Sequence, residues 1–288
     1  MTVRQLVLEQ IACPSCGSSS SVYWLSGRDN LCGIPGEFPV VRCRNCQRPC
    51  MNPRPVTESL ADCYPPDYSP HVPTAQNTAD PAPNAAPRPW YLRWLPLRRI
   101  PGLKRLYKWL LEDRSQPVHC GMLQTLPDDG RPYDLAAAWH VLEHVPDVRG
   151  TLHELLRRLG PGGQLLISIP CSGCWEPRVF GSAWYLRELP RHLHSFTWRS
   201  ITRLLSECAF VDTGVQHQRM LLNVSGGPRI VLLNRRPRSR SGRWLKSYPE
   251  QLRLFLQLLL APAAHLLAFS GQGGRFTIFA RKASGDSP

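Results

Sequence analysis

A chain of 288 residues with 42% hydrophobic content has the apolar side chains to bury a core in one large domain or two modest ones, which excludes disorder throughout. The formal charge is +14, from 35 Lys and Arg against 21 Asp and Glu, most of it arginine, and 29 prolines stand against 21 glycines. Genome composition explains that bias as well as a basic surface that attracts phosphates or anionic lipid.

The first ten residues carry charges among their apolar positions and lack the uninterrupted apolar core of a secretory signal. A reducing, cytoplasmic compartment is therefore expected, in which clustered cysteines hold metal more often than they form bridges. No stretch reaches the roughly 20 apolar residues of a membrane span. Leu252 to Phe269 is interrupted by Gln257, Pro262 and His265.

Residues 1–68 hold seven of the eleven cysteines in short, turn-rich segments. Cys13-Pro-Ser-Cys16-Gly17 and Cys43-Arg-Asn-Cys46 are two CxxC pairs separated by 26 residues. Each pair lets two thiolates converge from one tight turn, and together they supply the four soft ligands of a structural, tetrahedral Zn2+ site with no open position. Gly17 suits a backbone with positive φ. A segment this short needs metal for its folding energy. Cys32, Cys50 and Cys63 have no partner at ligand spacing and read as small buried residues. Cys171 and Cys174 form a third, lone CxxC with no second pair.

Residues 69–89 are rich in Pro, Ala and Asn and read as a disordered linker. Within 90–117, Leu103, Leu106, Tyr107, Leu110 and Leu111 fall at helical spacing with basic residues opposite. That segment packs on the domain, or lies against a membrane surface or an acidic partner.

From Tyr133 the pattern alternates between strand and helix. Tyr133–Trp139 reads as a buried strand, Val148–Leu159 as a helix with Leu152, Leu155, Leu156 and Leu159 inward, and Gln164–Ile169 as a second buried strand. Pro161-Gly162-Gly163 is expected to end that helix through a left-handed glycine cap. The result is a parallel βαβ crossover in a sheet with helices on both faces. A helix over Ser200–Cys208 with Ile201, Leu204 and Leu205 inward follows, then a strand near Phe210–Gln216. The tail holds a basic stretch (Arg235–Lys246), a leucine-rich helix (Gln251–Phe269) and a last strand (Arg275–Arg281).

Several ordered segments resemble one family. The two CxxC pairs with Gly17, Asn52-Pro-Arg-Pro55 and Tyr64-Pro-Pro-Asp-Tyr68 are similar to the zinc-binding module that precedes some bacterial class I S-adenosylmethionine-dependent methyltransferases. Tyr133 to Asp147 (YDLAAAWHVLEHVPD) resembles that family's fourth-strand motif, Leu159-Gly-Pro-Gly-Gly163 the turn before its fifth strand, Pro190 to Thr197 (PRHLHSFT) its later substrate-side loop, and Gly273 to Lys282 its final strand. The resemblance covers most of residues 10–70 and 118–282.

The resemblance implies an α/β fold: a Rossmann-like methyltransferase sheet over 118–282 behind a small zinc-ribbon module. It places Trp139, His140 and Val141 against S-adenosylmethionine at the carboxyl end of the fourth strand, where open α/β sheets bind ligands. His144 and His192 become candidate catalytic groups, His144 as general base toward a substrate hydroxyl or amine. Two readings of Glu143 and His144 stay open, catalysis or fixing the loop by hydrogen bonds, and His192 and His194 carry the same ambiguity. Asp147 reads as a helix N-cap.

The family's donor site also needs a glycine-rich turn after the first strand, because any side chain there blocks the cofactor's approach to the backbone. No acidic residue followed by GxG precedes Tyr133. At least one strand-helix-strand unit, about 30 residues, is missing, so the sheet is expected to be incomplete. Gly226–Arg229 (GGPR) and Gly271–Gly274 (GQGG) read as plain loops. The implied function is methyl transfer to a small molecule, such as a sugar or glycan intermediate, in a chain impaired by loss of the cofactor loop. The alternative is a non-catalytic zinc-ribbon scaffold on an anionic membrane surface or nucleic acid, with nucleic acid the less expected partner.

Overall fold

A computed structural model describes residues 6–64, 68, 123–126, 130–218, 259 and 261–284. The expected linker, the amphipathic segment at 90–117, the basic stretch at 235–246, the GGPR loop and the first part of the leucine-rich helix lie outside the described residues. The chain divides into two compact units. One comprises 1–65 together with 127–288, and the other 66–126. All the described strands belong to the first.

The cysteine-rich end builds a small antiparallel meander of β2 (Ser21–Gly27), β3 (Phe38–Cys43) and β4 (Pro49–Met51). A two-residue ladder of β1 (Leu8–Glu9) with β5 (Arg54–Pro55) closes its ends. Phe38, Val40 and Met51 form its core, and Leu189 and Leu193 from much later in the chain complete it.

The second sheet has the order β6-β7-β9-β8, with β6 (Tyr133–Trp139), β7 (Leu159–Pro170), β8 (Phe210–His217) and β9 (Arg275–Lys282). β6 and β7 are parallel, and β9 runs antiparallel to both of its neighbours. The expected crossover is present: helix α1 (Val148–Arg158) links β6 to β7. Two short or medium helices follow β7, α2 (Glu176–Phe180) and α3 (Trp198–Glu207), and α4 (Ala261–Phe269) precedes β9.

Leu165, Ile167 and Ile169 stand opposite Ala280, Ile278 and Phe276 in register. Side chains two apart share a sheet face, so these six make one apolar surface. Val148 and Leu152 of α1 and Ile201, Leu204 and Leu205 of α3 join them in one cluster. Burial of each such side chain stabilises by about 1.5–3 kcal/mol. The other face carries a polar bridge, in which the Gln218 amide donates to the hydroxyls of Ser168 (2.7 Å) and Thr277 (2.9 Å).

α3 starts with a reciprocal cap: the Ser200 amide donates to Thr197 Oγ1 (3.1 Å) and the Thr197 amide to Ser200 Oγ (3.0 Å). Asp147 caps α1 as expected, accepting from the Gly150 amide at 2.9 Å.

Two expectations need correction. α1 does not end in a glycine cap. Its C-cap is Leu159 in extended conformation, and the Pro161-Gly162-Gly163 run is a bulge within β7. Tyr133 pairs with Leu159 but Leu135 with Gln164, so four residues loop out between them. Gly162 there has φ of 72°, and a Cβ on Gly163 would lie 2.8 Å from the Gly160 carbonyl oxygen. Glycine is required by the bulge, not by the helix end.

Nor is Tyr133–Trp139 a buried strand. Only Ala138 is buried, while Tyr133, Leu135 and Trp139 are exposed. β6 is an edge strand that pairs with β7 alone among the described residues. An apolar run of this kind looks the same in sequence whether or not a neighbour covers it.

Candidate functional site

The four cysteines of the N-terminal knuckles come together. Cys13 and Cys46 sulfurs lie 3.5 Å apart, as do those of Cys16 and Cys43, and all four fall within 4.8 Å of one another. Each knuckle turns the same way: the Gly17 amide donates to the Cys13 carbonyl (2.8 Å) and the Gln47 amide to the Cys43 carbonyl (3.0 Å). Gly17 and Gln47 both adopt positive φ, 72° and 60°. Four convergent thiols with no carboxylate among them suit a tetrahedral, thiophilic ion.

Arginines surround this cluster. Arg48, wholly buried, donates to the Ser15 hydroxyl and lies 4.1 Å over the Phe196 ring. Arg149 Nε donates to the Ser15 carbonyl at 2.8 Å. Burial lowers the Arg48 guanidinium to about 10, and it stays cationic near the thiols. Such a cation offsets the negative charge of a four-thiolate site.

Among the described residues the other cysteines are not part of this four-sulfur group. Burial pushes the Cys50 and Cys63 thiols up to about 12 and about 11, and Cys32 is half-buried. Cys171 and Cys174 sit in the sheet core, where Cys174 Sγ donates to the Cys171 carbonyl at 3.1 Å.

The histidines gather at the carboxyl end of β6. His140 leaves the strand with φ of 54°, and its amide donates to the Ser168 carbonyl at 2.9 Å. A left-handed histidine costs energy that its surroundings must offset, and such residues cluster at functional sites. Its Nδ1 hydrogen-bonds Glu143 Oε1 at 3.0 Å. Leu142, fully buried, anchors the turn below them.

The loop over 190–197 is sewn to both sheets. The Leu193 and His194 amides donate to the Glu143 carbonyl, and His194 Nε2 hydrogen-bonds the Val145 carbonyl at 2.8 Å. The Met51 amide donates to the Leu193 carbonyl and the Ser195 amide to the Pro49 carbonyl, which adds this loop to the edge of β4. The Ser172 amide in turn donates to the Phe196 carbonyl at 2.8 Å.

These ties bring His192 edge-on to His144, with ring centroids 4.5 Å apart at 81°. Tyr64 Oη lies 2.9 Å from His144 Nδ1, and His192 Nδ1 donates to the Leu186 carbonyl at 2.9 Å. Burial and then the neighbouring His192 hold His144 down at about 4. Burial does the same to His192, also to about 4, and takes His194 well below its ordinary value. All three imidazoles are neutral at pH 7. Burial alone would raise the Glu143 carboxyl, but the His140 hydrogen bond opposes it, and the group lies below the ordinary carboxylate range.

The structure thus brings His144 and His192 together and adds Glu143 to them. His194 is set apart, since its bond to Val145 is structural. Trp139 and Val141 flank His140 and are exposed, at 57% and 42%. The sequence motifs give no role to Tyr64, although it falls within one of them, nor to the buried Arg191–Asp29 pair behind His192.

A Cβ on Gly173, between β7 and α2, would meet Thr197 at 3.0 Å.

The fold, a mixed α/β sheet ending in a cluster of ionisable groups, defines the class: a methyltransferase-like α/β protein. A family model for the methyltransferase domain matches residues 53–213, more than half the chain, and the chain belongs to that family. The ubiquinone biosynthesis O-methyltransferase of Erwinia tasmaniensis is 34% identical over 64 residues, 22% of this chain and 26% of that protein. The chain thus aligns with about a quarter of that relative's length. Among solved structures, a protein described as a sarcosine dimethylglycine methyltransferase from Galdieria sulphuraria is 17% identical, with a TM-score of 0.35, covering 63% of this chain and 65% of that one. Phosphoethanolamine N-methyltransferase 2 of Haemonchus contortus, in complex with S-adenosyl-L-methionine, is 17% identical with a TM-score of 0.29, covering 52% of this chain and 33% of that one.

Proposed function

We propose that this chain keeps the acceptor side of a methyltransferase site and lacks the donor side, so that alone it binds S-adenosylmethionine weakly or not at all. The acceptor class is a small molecule, a sugar or glycan intermediate with a hydroxyl or amine to present. Zinc held by Cys13, Cys16, Cys43 and Cys46 has a structural role in this reading, fixing the meander that carries the 190–197 loop.

One observation supports it above the others. Among the described residues β6, whose end bears Trp139, His140 and Val141, pairs with β7 alone, and its Tyr133, Leu135 and Trp139 are exposed, which leaves an edge open for the donor-side strand this reading takes to be absent. Exposed edges of apolar strands are otherwise paired, covered or charged.

On the acceptor side, His144 and His192 present neutral imidazoles over an ionised Glu143. His144 would receive an acceptor proton at Nε2, since Tyr64 engages Nδ1. The Glu143 carboxylate beside it stabilises the imidazolium so formed.

Calorimetric titration of the zinc-loaded chain with S-adenosylmethionine tests this. Absence of saturable heat is the expected result, and micromolar binding overturns the reading. Absence of heat together with salt-sensitive binding to anionic vesicles points instead to a scaffold on a membrane surface.

A further inference from the structure

Glu143, His144 and His192 each place one donor atom within 4.8 Å of the other two. The imidazoles are oriented for the same task, because each spends Nδ1 outward: His144 on the Tyr64 hydroxyl, His192 on the Leu186 carbonyl. The Leu186 carbonyl can only accept, so neutral His192 carries its proton on Nδ1 and keeps Nε2 as a lone-pair donor, 3.9 Å from Glu188 Oε2, and His144 does the same when Tyr64 accepts from its Nδ1. Glu143 spends Oε1 on His140, while its Oε2 is buried and has no hydrogen-bond partner.

One ligand atom from each of the three residues thus faces a shared space. A buried polar atom without a partner calls for a missing ion or water. A cation among the three satisfies all of them together.

We propose that Glu143, His144 and His192 form a second metal site, for a divalent first-row cation of which zinc is the best match. Two imidazoles and one carboxylate are the ligand set of open zinc sites, with a further position left for water or a substrate oxygen. The four-cysteine cluster, by contrast, is closed. Bound donors about 2.0–2.2 Å from a metal sit closer together than 4.8 Å, so the cation would draw the three side chains inward.

The outer partners fit as well. Tyr64, Leu186 and His140 each orient one of the three ligands, the arrangement that fixes ring tautomers in metal sites. Elements far apart in sequence hold the ligands in place: the turn after β6 carries two, and the loop tied to β4 carries the third. A cation here would lower the pKa of a bound hydroxyl, and His144, held as a ligand, would then take the acceptor proton only in the metal-free chain. The site requires no bound S-adenosylmethionine, so its test stands apart from that of the donor side.

Cobalt titration of metal-free full-length protein, followed by visible absorption, reads both sites at once. The expected result is two equivalents per chain: one with the thiolate-to-cobalt charge-transfer band, and one with ligand-field bands only. Glu143→Gln and His192→Gln should keep the thiolate band and lose the second equivalent. Tyr64→Phe should weaken that equivalent by about tenfold or more. Saturation of the wild-type protein at one equivalent overturns the proposal whether or not the variants fold, and so does a second equivalent that survives both substitutions.

Discussion

Arg191 and Asp29 form a two-point ion pair with no solvent at either side chain: Nη2 to Oδ1 at 2.7 Å and Nη1 to Oδ2 at 3.0 Å. They are 162 residues apart, and the pair fastens the loop that carries His192 to the turn after β2. Asp29 also accepts the amides of Leu31, Cys32 and Ile34, so both carboxylate oxygens are fully engaged. Arg191 Nη1 reaches the Cys63 carbonyl at 3.1 Å as well.

Breaking one half of such a pair leaves the other charge buried. Asp29→Asn is expected to cost about 3–5 kcal/mol of stability, and Arg191→Lys nearly as much, because a lysine cannot donate in two parallel bonds. Urea unfolding of the variants measures this. A loss below about 1 kcal/mol would mean the pair is incidental to the loop's position.

The same pair sets an acid limit. Burial alone would raise the Asp29 carboxyl, but the Arg191 bonds and the loop amides win and hold it below its ordinary value. A carboxyl depressed by folding stabilises fully above its unfolded pKa of about 3.9 and loses that contribution as pH falls through the lower folded value. The stability gap between wild type and Asp29→Asn should therefore be flat from neutral pH to about pH 5 and narrow below about pH 4. Urea midpoints across that range check it, and a constant gap down to about pH 3 contradicts the assignment.

Metal removal should be felt beyond the knuckles. Ser15, between Cys13 and Cys16, receives both Arg48 and Arg149, and Arg48 stacks on Phe196 of the 190–197 loop. Chelation, or Cys13→Ser with Cys43→Ser, is expected to release the bound ion and to expose the Leu193 and Ser195 amides. Hydrogen exchange of those two amides reads the effect. Unchanged protection after complete metal loss would show that the meander holds without it.

Thr197 tests a local device. Removing its hydroxyl opens the reciprocal cap of α3 and should cost about 1 kcal/mol. Thermal unfolding of Thr197→Ala compared with wild type measures that, and Thr197→Ser should restore it.

Features that repeat locally are legible in the chain. The helical spacing of Ile201, Leu204 and Leu205, the apolar run Leu165–Ile169, the Asp147 cap and the two knuckles all carry their own period or spacing, and the structure has each of them. Pairing across distance is not legible. Tyr64 meets His144 across 80 residues, and no pattern along the chain announces it. The strands of the meander are hidden too, since turns and cysteines dominate that region and Leu189 and Leu193 complete its core from elsewhere. Edge and interior strands also share one composition, so the exposure of Tyr133, Leu135 and Trp139 emerges only from the sheet order.

The proposed function depends above all on its claim that the chain lacks a donor side. Equilibrium dialysis of the zinc-loaded, full-length chain against radiolabelled S-adenosylmethionine addresses it directly. Equal label in the two compartments is the predicted result. Retention of one equivalent per chain with micromolar affinity would contradict it, because a main-chain cradle for the cofactor would then have to exist.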